Sequence, residues 1–258
     1  MKYLTLLLCF ICLPLQARVI TACGHPDYPP VSWVQDQQLI GVAPQVAKQI
    51  FSELGYQLKL DNSGNWKRCL QEVKAGNIDL VVAAYKTAPR TAYLNYSSVY
   101  LIADTLAIYI NSSDQRRYQK LSDLKNKTVG LLLGDSFGDE FDHFLQSLPA
   151  REYVSNGAQN FAKLAYQRID FMPLGVISGQ LQQQKLGYKE QLKITSLTIG
   201  VEYYYIALGR NSHLNRHMGY INQRLAQLQS NGGIDQLQQC FGHLYIGSSR
   251  SGDCDVQP

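Results

Sequence analysis

Five apolar residues, Leu80-Val81-Val82-Ala83-Ala84, run without interruption into Tyr85-Lys86-Thr87-Ala88-Pro89-Arg90. A short apolar run bounded by turn residues reads as a buried strand that ends in a turn. Pro89 fixes one backbone dihedral and disfavours helix at Ala88, so the exit from the strand is stiff. Arg90 is thereby held beside backbone N–H groups and the Thr87 hydroxyl. A planar guanidinium among such donors suits a carboxylate gripped by paired, charge-assisted hydrogen bonds.

The rest of the chain supplies what such a strand needs around it. Val19 to Cys23 reads as a strand, and Val46, Ala47, Ile50, Phe51 and Leu54 recur at helical spacing up to Gly55. Gln57 to Leu60 is a strand, and Trp66 to Ala75 a helix closed by Gly76. The rhythm restarts with strands at Leu106–Ile110, Thr128–Leu133 and Phe171–Leu174, and helices at Phe137–Gln146, Ala158–Gln167 and Ser178–Leu186. Short strands at Leu192–Thr195 and Tyr203–Leu208 follow, then a helix striped by Leu214, Met218, Ile221, Leu225 and Leu228, and a last helix from Ile234 to Cys240. This alternation predicts an α/β architecture with a mostly parallel sheet. Asn77-Ile78-Asp79-Leu80 and Arg168-Ile169-Asp170-Phe171 echo each other after amphipathic helices, as two similar lobes would.

The first residues bear on the compartment. Lys2, an apolar run from Tyr3 to Leu13 and Pro14-Leu15-Gln16-Ala17 describe a secretory signal peptide, residues 1–17, expected to be cut after Ala17. Cys9 and Cys12 lie inside it, after bulky Leu8 and Ile11, which does not suit a lipid-acceptor cysteine. The expected product is exported, periplasmic and monomeric. Four cysteines remain, Cys23, Cys69, Cys240 and Cys254, an even count that in an oxidising space favours disulfides over metal ligands. Three pairings are open. Cys23–Cys69 with Cys240–Cys254 is favoured, because the second bridge would staple a polar tail from Ser248 to Pro258. No CxxC pair is present, and neither a metal nor another cofactor is called for. A net charge of +4 is too mild and dispersed for a nucleic-acid partner.

Taken together, these segments resemble the family-3 periplasmic solute-binding proteins, receptors of the glutamine- and histidine-binding type. The resemblance is carried by Tyr28-Pro29-Pro30-Val31-Ser32-Trp33, Gly41-Val42-Ala43-Pro44, Trp66-Lys67-Arg68-Cys69-Leu70, and Gly76-Asn77-Ile78-Asp79-Leu80. Further along it rests on Thr87-Ala88-Pro89-Arg90, Leu94-Asn95-Tyr96-Ser97, Leu121-Ser122-Asp123-Leu124, and Asn231-Gly232-Gly233-Ile234-Asp235 with Phe241-Gly242. These pieces arrive in the family's order and cover nearly all of the chain after residue 17.

The resemblance implies a two-lobed periplasmic-binding-protein fold, each lobe a mixed sheet flanked by helices, joined by two hinge strands. Lobe one would comprise 18–107 and 208–258 and lobe two 108–207, hinged near 107–110 and 204–207. It implies a small carboxylate-bearing ligand, an amino acid or a relative, presented to a membrane permease of an ABC transporter or to a sensor. Arg90 would anchor the acid with Thr87, while Tyr28, Trp66 and Tyr85 wall the pocket. Asp135, Ser136 and Phe137 would close from lobe two at a helix start, where the dipole favours an anion. Two positions depart from the family. Gly175 stands where an amine-binding aspartate is usual, and Gln45 where another aspartate is common. Asp135, Asp139 and Glu202 are candidate substitutes, since an unpartnered buried ammonium is strongly disfavoured.

Two enzymatic constellations compete. Gly134-Asp135-Ser136-Phe137-Gly138 matches a nucleophile elbow between strand and helix, with His213, His217 and His243 downstream. A serine hydrolase using Ser136, or a lyase acting on a bound carboxylate, is the alternative reading. No HGG-type oxyanion segment accompanies the serine. His213 and His217 are four apart, but no zincin glutamate lies between them. The expectation is therefore a receptor with no catalytic residue.

Overall fold

The computed structural model describes residues 18–62, 64–248 and 254. The expected signal peptide, residues 1–17, lies outside them. The first third contains β1 (Arg18–Cys23), β2 (Asp27–Tyr28), β3 (Ser32–Gln35), β4 (Gln38–Ile40), α1 (Val42–Glu53), β5 (Tyr56–Leu60), α2 (Trp66–Ala75), β6 (Leu80–Tyr85), α3 (Ala88–Thr91) and β7 (Leu94–Tyr96). The middle contains β8 (Ile102–Asn111), β9 (Thr128–Leu132), α4 (Asp139–Gln146), β10 (Ala150–Val154), α5 (Ala158–Ala165), β11 (Phe171–Gly175) and α6 (Val176–Leu186). An 18-residue strand, β12 (Leu192–Gly209), leads back to α7 (Met218–Ser230) and α8 (Gly233–Tyr245).

Nine strands form one sheet, ordered β10-β9-β11-β8-β12-β6-β1-β5, with β7 on the end of β12, while β2, β3 and β4 form a small separate sheet. At one end β1 pairs in parallel with β5 and β6; at the other β9 pairs in parallel with β10 and β11. The centre is antiparallel, where β12 meets β8 and β6 and where β11 meets β8. The sheet is therefore mixed, which corrects the mostly parallel expectation drawn from alternation alone. The reason is that β8 and β12 are joined along most of their length and run in opposite directions. The two short strands expected at Leu192–Thr195 and Tyr203–Leu208 are one strand with register shifts near Thr198 and Tyr205.

The apolar residues of β6 face two ways. Leu80 and Val82 pack with α1, α7 and α8 through Val46, Ile50, Leu225 and Leu244; Val81 and Ala84 pack with Trp66, Leu70 and Val73 of α2. On β8 Leu106, Ile108 and Ile110 join Val129, Leu145 and Phe171, while Ala107 and Tyr109 join Phe161, Leu164 and Met172. Each end of the sheet thus has helices on both faces, as near-continuous apolar strands require. Along β8 the packing passes from the first core at Ile102 to the second at Leu106, and along β12 from Ile199 to Tyr204. Residues Ala107 to Ile110, expected near the hinge, lie within the packing of the second core.

The Ile-Asp echo has a structural counterpart. The Asp79 carboxylate accepts from Thr21 N at 2.8 Å, and its own N–H reaches Thr21 O at 3.1 Å. Asp170 does the same to Thr128, at 2.8 Å both ways. In each half an aspartate entering the third strand ties down the first. Both expected disulfides form, Cys23–Cys69 and Cys240–Cys254. Cys23–Cys69 pins the end of β1 to the first turn of α2. Among the described residues no helix is long and apolar enough to cross a membrane.

Candidate functional site

Arg90 is buried, only 6% exposed. Thr87 caps the short α3, its hydroxyl accepting from Arg90 N at 3.4 Å, with Pro89 tolerated inside the first turn. The turn after β6 is therefore helical from Ala88, although Pro89 was expected to disfavour helix there. One guanidinium nitrogen donates to Tyr85 O at 3.0 Å, and the other reaches across the crevice to Gly134 O at 2.9 Å. Trp66, the first residue of α2, lies beneath it, with the guanidinium carbon 5.5 Å from the ring centre. Two of five N–H donors are used, and among the described residues no carboxylate pairs with Arg90.

A cavity of about 30 Å3 adjoins this arginine. Of the eight residues expected at the site, Tyr28, Trp66, Tyr85, Arg90, Asp135, Ser136 and Phe137 line it; Thr87 does not, and acts as the α3 cap. The first four come from β2, α2, β6 and α3 in the first third of the chain, and the last three from the loop after β9. Gly134 makes this closeness possible. Its φ is +95°, and a Cβ there would sit 2.8 Å from the Lys67 backbone at the start of α2. The donors expected on this loop are already occupied. Ser136 donates its hydroxyl to Asp142, Phe137 N reaches Asp142 at 2.8 Å, and Asp135 N reaches Leu132 O at 3.1 Å. The Ala88 N–H donates to Asp139 of α4 at 3.2 Å. A wider groove of about 410 Å3 opens beyond Tyr85, Phe137 and Glu202, but neither Arg90 nor Trp66 lines it.

His25, Tyr204 and Glu202 complete the inner wall. His25 accepts from Asp27 N at its Nδ1, 3.0 Å away, so its Nε2 carries the proton and donates to Asp135 at 3.1 Å. Glu202 is buried at the centre of β12 and accepts from the Tyr28 hydroxyl at 3.2 Å and from the Tyr204 hydroxyl. Burial pushes its carboxyl up to about 8, the two hydroxyls counter this, and Asp135 and Asp104 add to it. Burial likewise raises Asp104 of β8 to about 6, opposed by the N–H groups of Ile177 and Ser178 at the start of α6.

Gly175 explains where the missing aspartate's place went. A Cβ on Gly175 would lie 2.1 Å from Asp104 Oδ2 and 2.2 Å from the Tyr28 hydroxyl. The space is filled by Asp104 and Tyr28 themselves. Asp104, His25 and Tyr204 were not expected from the sequence. The available signal was an isolated acid in an otherwise apolar strand, which fits Asp104 and Glu202 alike. Gln45 sits in α1, and Arg68 pairs with Glu72 at 3.7 Å on the surface of α2. His217 meets Tyr56, far along the chain from Ser136. Among the described residues no group of three or more His, Cys, Asp or Glu is placed to hold a metal ion.

A mixed sheet with paired cores and a buried arginine in the crevice between them defines the architecture of a ligand-binding clamp. The profile of the bacterial extracellular solute-binding proteins, family 3, matches residues 20–243, and the chain belongs to that family. Its members are binding proteins, not enzymes. The chain is 28% identical over 109 residues to the arginine-binding extracellular protein ArtP of Bacillus subtilis strain 168. That match spans 42% of this chain and 41% of ArtP, less than half of the relative's length. Among solved structures, an amino acid ABC transporter substrate-binding protein, AbpA, from Streptococcus pneumoniae bound to L-arginine superposes with a TM-score of 0.76 and 21% identity. The likeness covers 88% of this chain and 96% of AbpA. An ancestral arginine-binding protein bound to glutamine gives 0.71 at 21% identity over 89% and 98% of the two chains. A histidine kinase sensor domain similar to periplasmic binding proteins gives 0.74 at 16% identity, over 86% and 95%.

Proposed function

We propose that this protein is an exported periplasmic receptor that binds a small carboxylate-bearing solute, an amino acid or a close relative, between two lobes. It then presents the closed form to a membrane permease. The observation that carries this reading is Arg90: a buried cation in the crevice with no acidic partner among the described residues. A buried charge without a counter-charge is strongly disfavoured, and a ligand carboxylate would supply it. Three guanidinium N–H groups remain to make that bond. Trp66 and Tyr28 would flank the ligand's apolar body, and Ser136 and Phe137 would contact it from the opposite lobe.

A cavity of about 30 Å3 is an order of magnitude below ordinary small-molecule pockets. Ligand access therefore requires the lobes to part, about the stretches where β8 and β12 leave one core for the other. Contacts from both lobes give the ligand its preference for the closed form. The similarity to a kinase sensor domain favours a second output, a membrane sensor in place of a permease, with the same cleft.

A thermal-shift screen of amino acids, dicarboxylates and short peptides tests the reading, since tight binding stabilises the folded state by mass action. A stabilising ligand is expected. Its affinity should fall at least about thirtyfold in Arg90→Ala, from roughly 2 kcal/mol or more for truncating one partner of a buried charged pair. A ligand that binds Arg90→Ala as tightly as the parent overturns the assignment.

A further inference from the structure

A second cavity of about 30 Å3 lies on the other side of His25, lined by His25, Asp27 and Tyr28 from one lobe and by Asp135, Asn160 and Gln182 from the other. His25, Tyr28 and Asp135 are walls of both cavities, so the two are neighbours separated only by these side chains.

Three donors on this wall are already committed. The His25 Nε2–H goes to Asp135, the Tyr28 hydroxyl to Glu202, and the Gln182 Nε2 to Ser178 Oγ at 3.1 Å. Acceptors are in surplus. Asn160 is only 5% exposed, yet its Oδ1 has no hydrogen-bond partner. Gly130 of β9 makes room for that amide, because a Cβ there would lie 2.8 Å from the same oxygen. Asp27 uses one oxygen to accept from Gly157 N at 2.5 Å, and Asp135 uses one for His25. Each keeps a second oxygen outside those bonds. Among the described residues neither aspartate pairs with a lysine or arginine. A buried carbonyl without a donor is the exception in native proteins and calls for an occupant. Two carboxylates facing a histidine whose ring nitrogens are both engaged favour an occupant that is cationic.

We propose that this cavity is a side-chain subsite that receives the cationic N–H donor end of the ligand, held by Asn160, Asp27 and Asp135. The inference rests on the reading above, in which Arg90 holds the ligand's carboxylate, and it extends that reading to basic amino acids.

The experiment is titration calorimetry with L-lysine and L-arginine against their uncharged analogues L-norleucine and L-citrulline. The proteins are the parent, Asn160→Leu, Asp27→Asn and Arg90→Ala, with a urea midpoint for each. Lysine or arginine should bind the parent at least tenfold more tightly than the matching analogue. Asn160→Leu and Asp27→Asn should each erase that preference by tenfold or more while leaving the analogue's affinity unchanged. Should Asn160→Leu fail to fold, Asp27→Asn decides alone, because asparagine can still accept from Gly157 N. Unchanged affinity for the basic amino acid in the folded variants would mean that the cavity holds only a structural water, and would overturn the proposal. Citrulline binding as tightly as arginine, and norleucine as tightly as lysine, would overturn it too. Binding that depends on Asn160 but survives Arg90→Ala would instead sink the carboxylate anchor. Absence of binding by all four compounds would overturn the subsite, while the wider screen still tests Arg90.

Discussion

Glu202→Gln isolates the most consequential buried charge in the cleft. Burial holds the Glu202 carboxyl protonated up to about 8, against a usual value of 4.5. Between those values the folded chain binds more protons than the unfolded one, so stability falls as pH rises. Each unit of difference corresponds to about 1.4 kcal/mol, giving a ceiling of roughly 5 kcal/mol between pH 4.5 and pH 8. That ceiling rivals the whole stability of a modest domain, about 5–15 kcal/mol. Glutamine keeps a side-chain oxygen for the Tyr28 or Tyr204 hydroxyl and does not ionise. Urea unfolding of both proteins at pH 5, 6, 7 and 8 is the assay. At pH 5 the parent should equal or exceed the variant; by pH 8 the variant should be the more stable, by a few kcal/mol. Asp104, raised to about 6, titrates in both proteins and largely cancels in the difference. Stability curves that stay parallel across this range would refute the argument that burial of Glu202 is uncompensated.

Two further outcomes concern the frame of the site. Gly175→Ala should lower stability by about 1–3 kcal/mol, the usual cost of overpacking, because its methyl would meet Asp104 and the Tyr28 hydroxyl; a thermal melt checks it. Replacing Cys23 and Cys69 by serine should cost about 4 kcal/mol from loop entropy, against about 3 for Cys240 and Cys254, whose sequence separation is 14 rather than 46. Urea midpoints of the two double variants should fall in that order.

Much of this molecule is legible in its amino-acid sequence. Trp66–Ala75 begins and ends as its periodicity and Gly76 indicate, because capping and burial there agree locally. Seven of the expected ligand residues line one cavity, each at a strand end, at a helix start or in the loop between, where the chain's punctuation is strongest. What the sequence hid was long-range. Nothing in Leu192–Gly209 shows that two apolar patches belong to one strand, since the residues between them mix polar with apolar and buried with exposed. The partners of Asp104 lie more than 70 residues away, at Ile177 and Ser178, so its position beside Gly175 depends on tertiary packing. His25 likewise has its cross-lobe partner 110 residues along the chain.

The length of β12 has a mechanical consequence. Eighteen residues at about 3.3 Å each extend for about 60 Å, enough to give both halves of the sheet a common hydrogen-bonded member. Melting either half would strip an edge from its sibling, so the pair is bound to unravel as a single cooperative body.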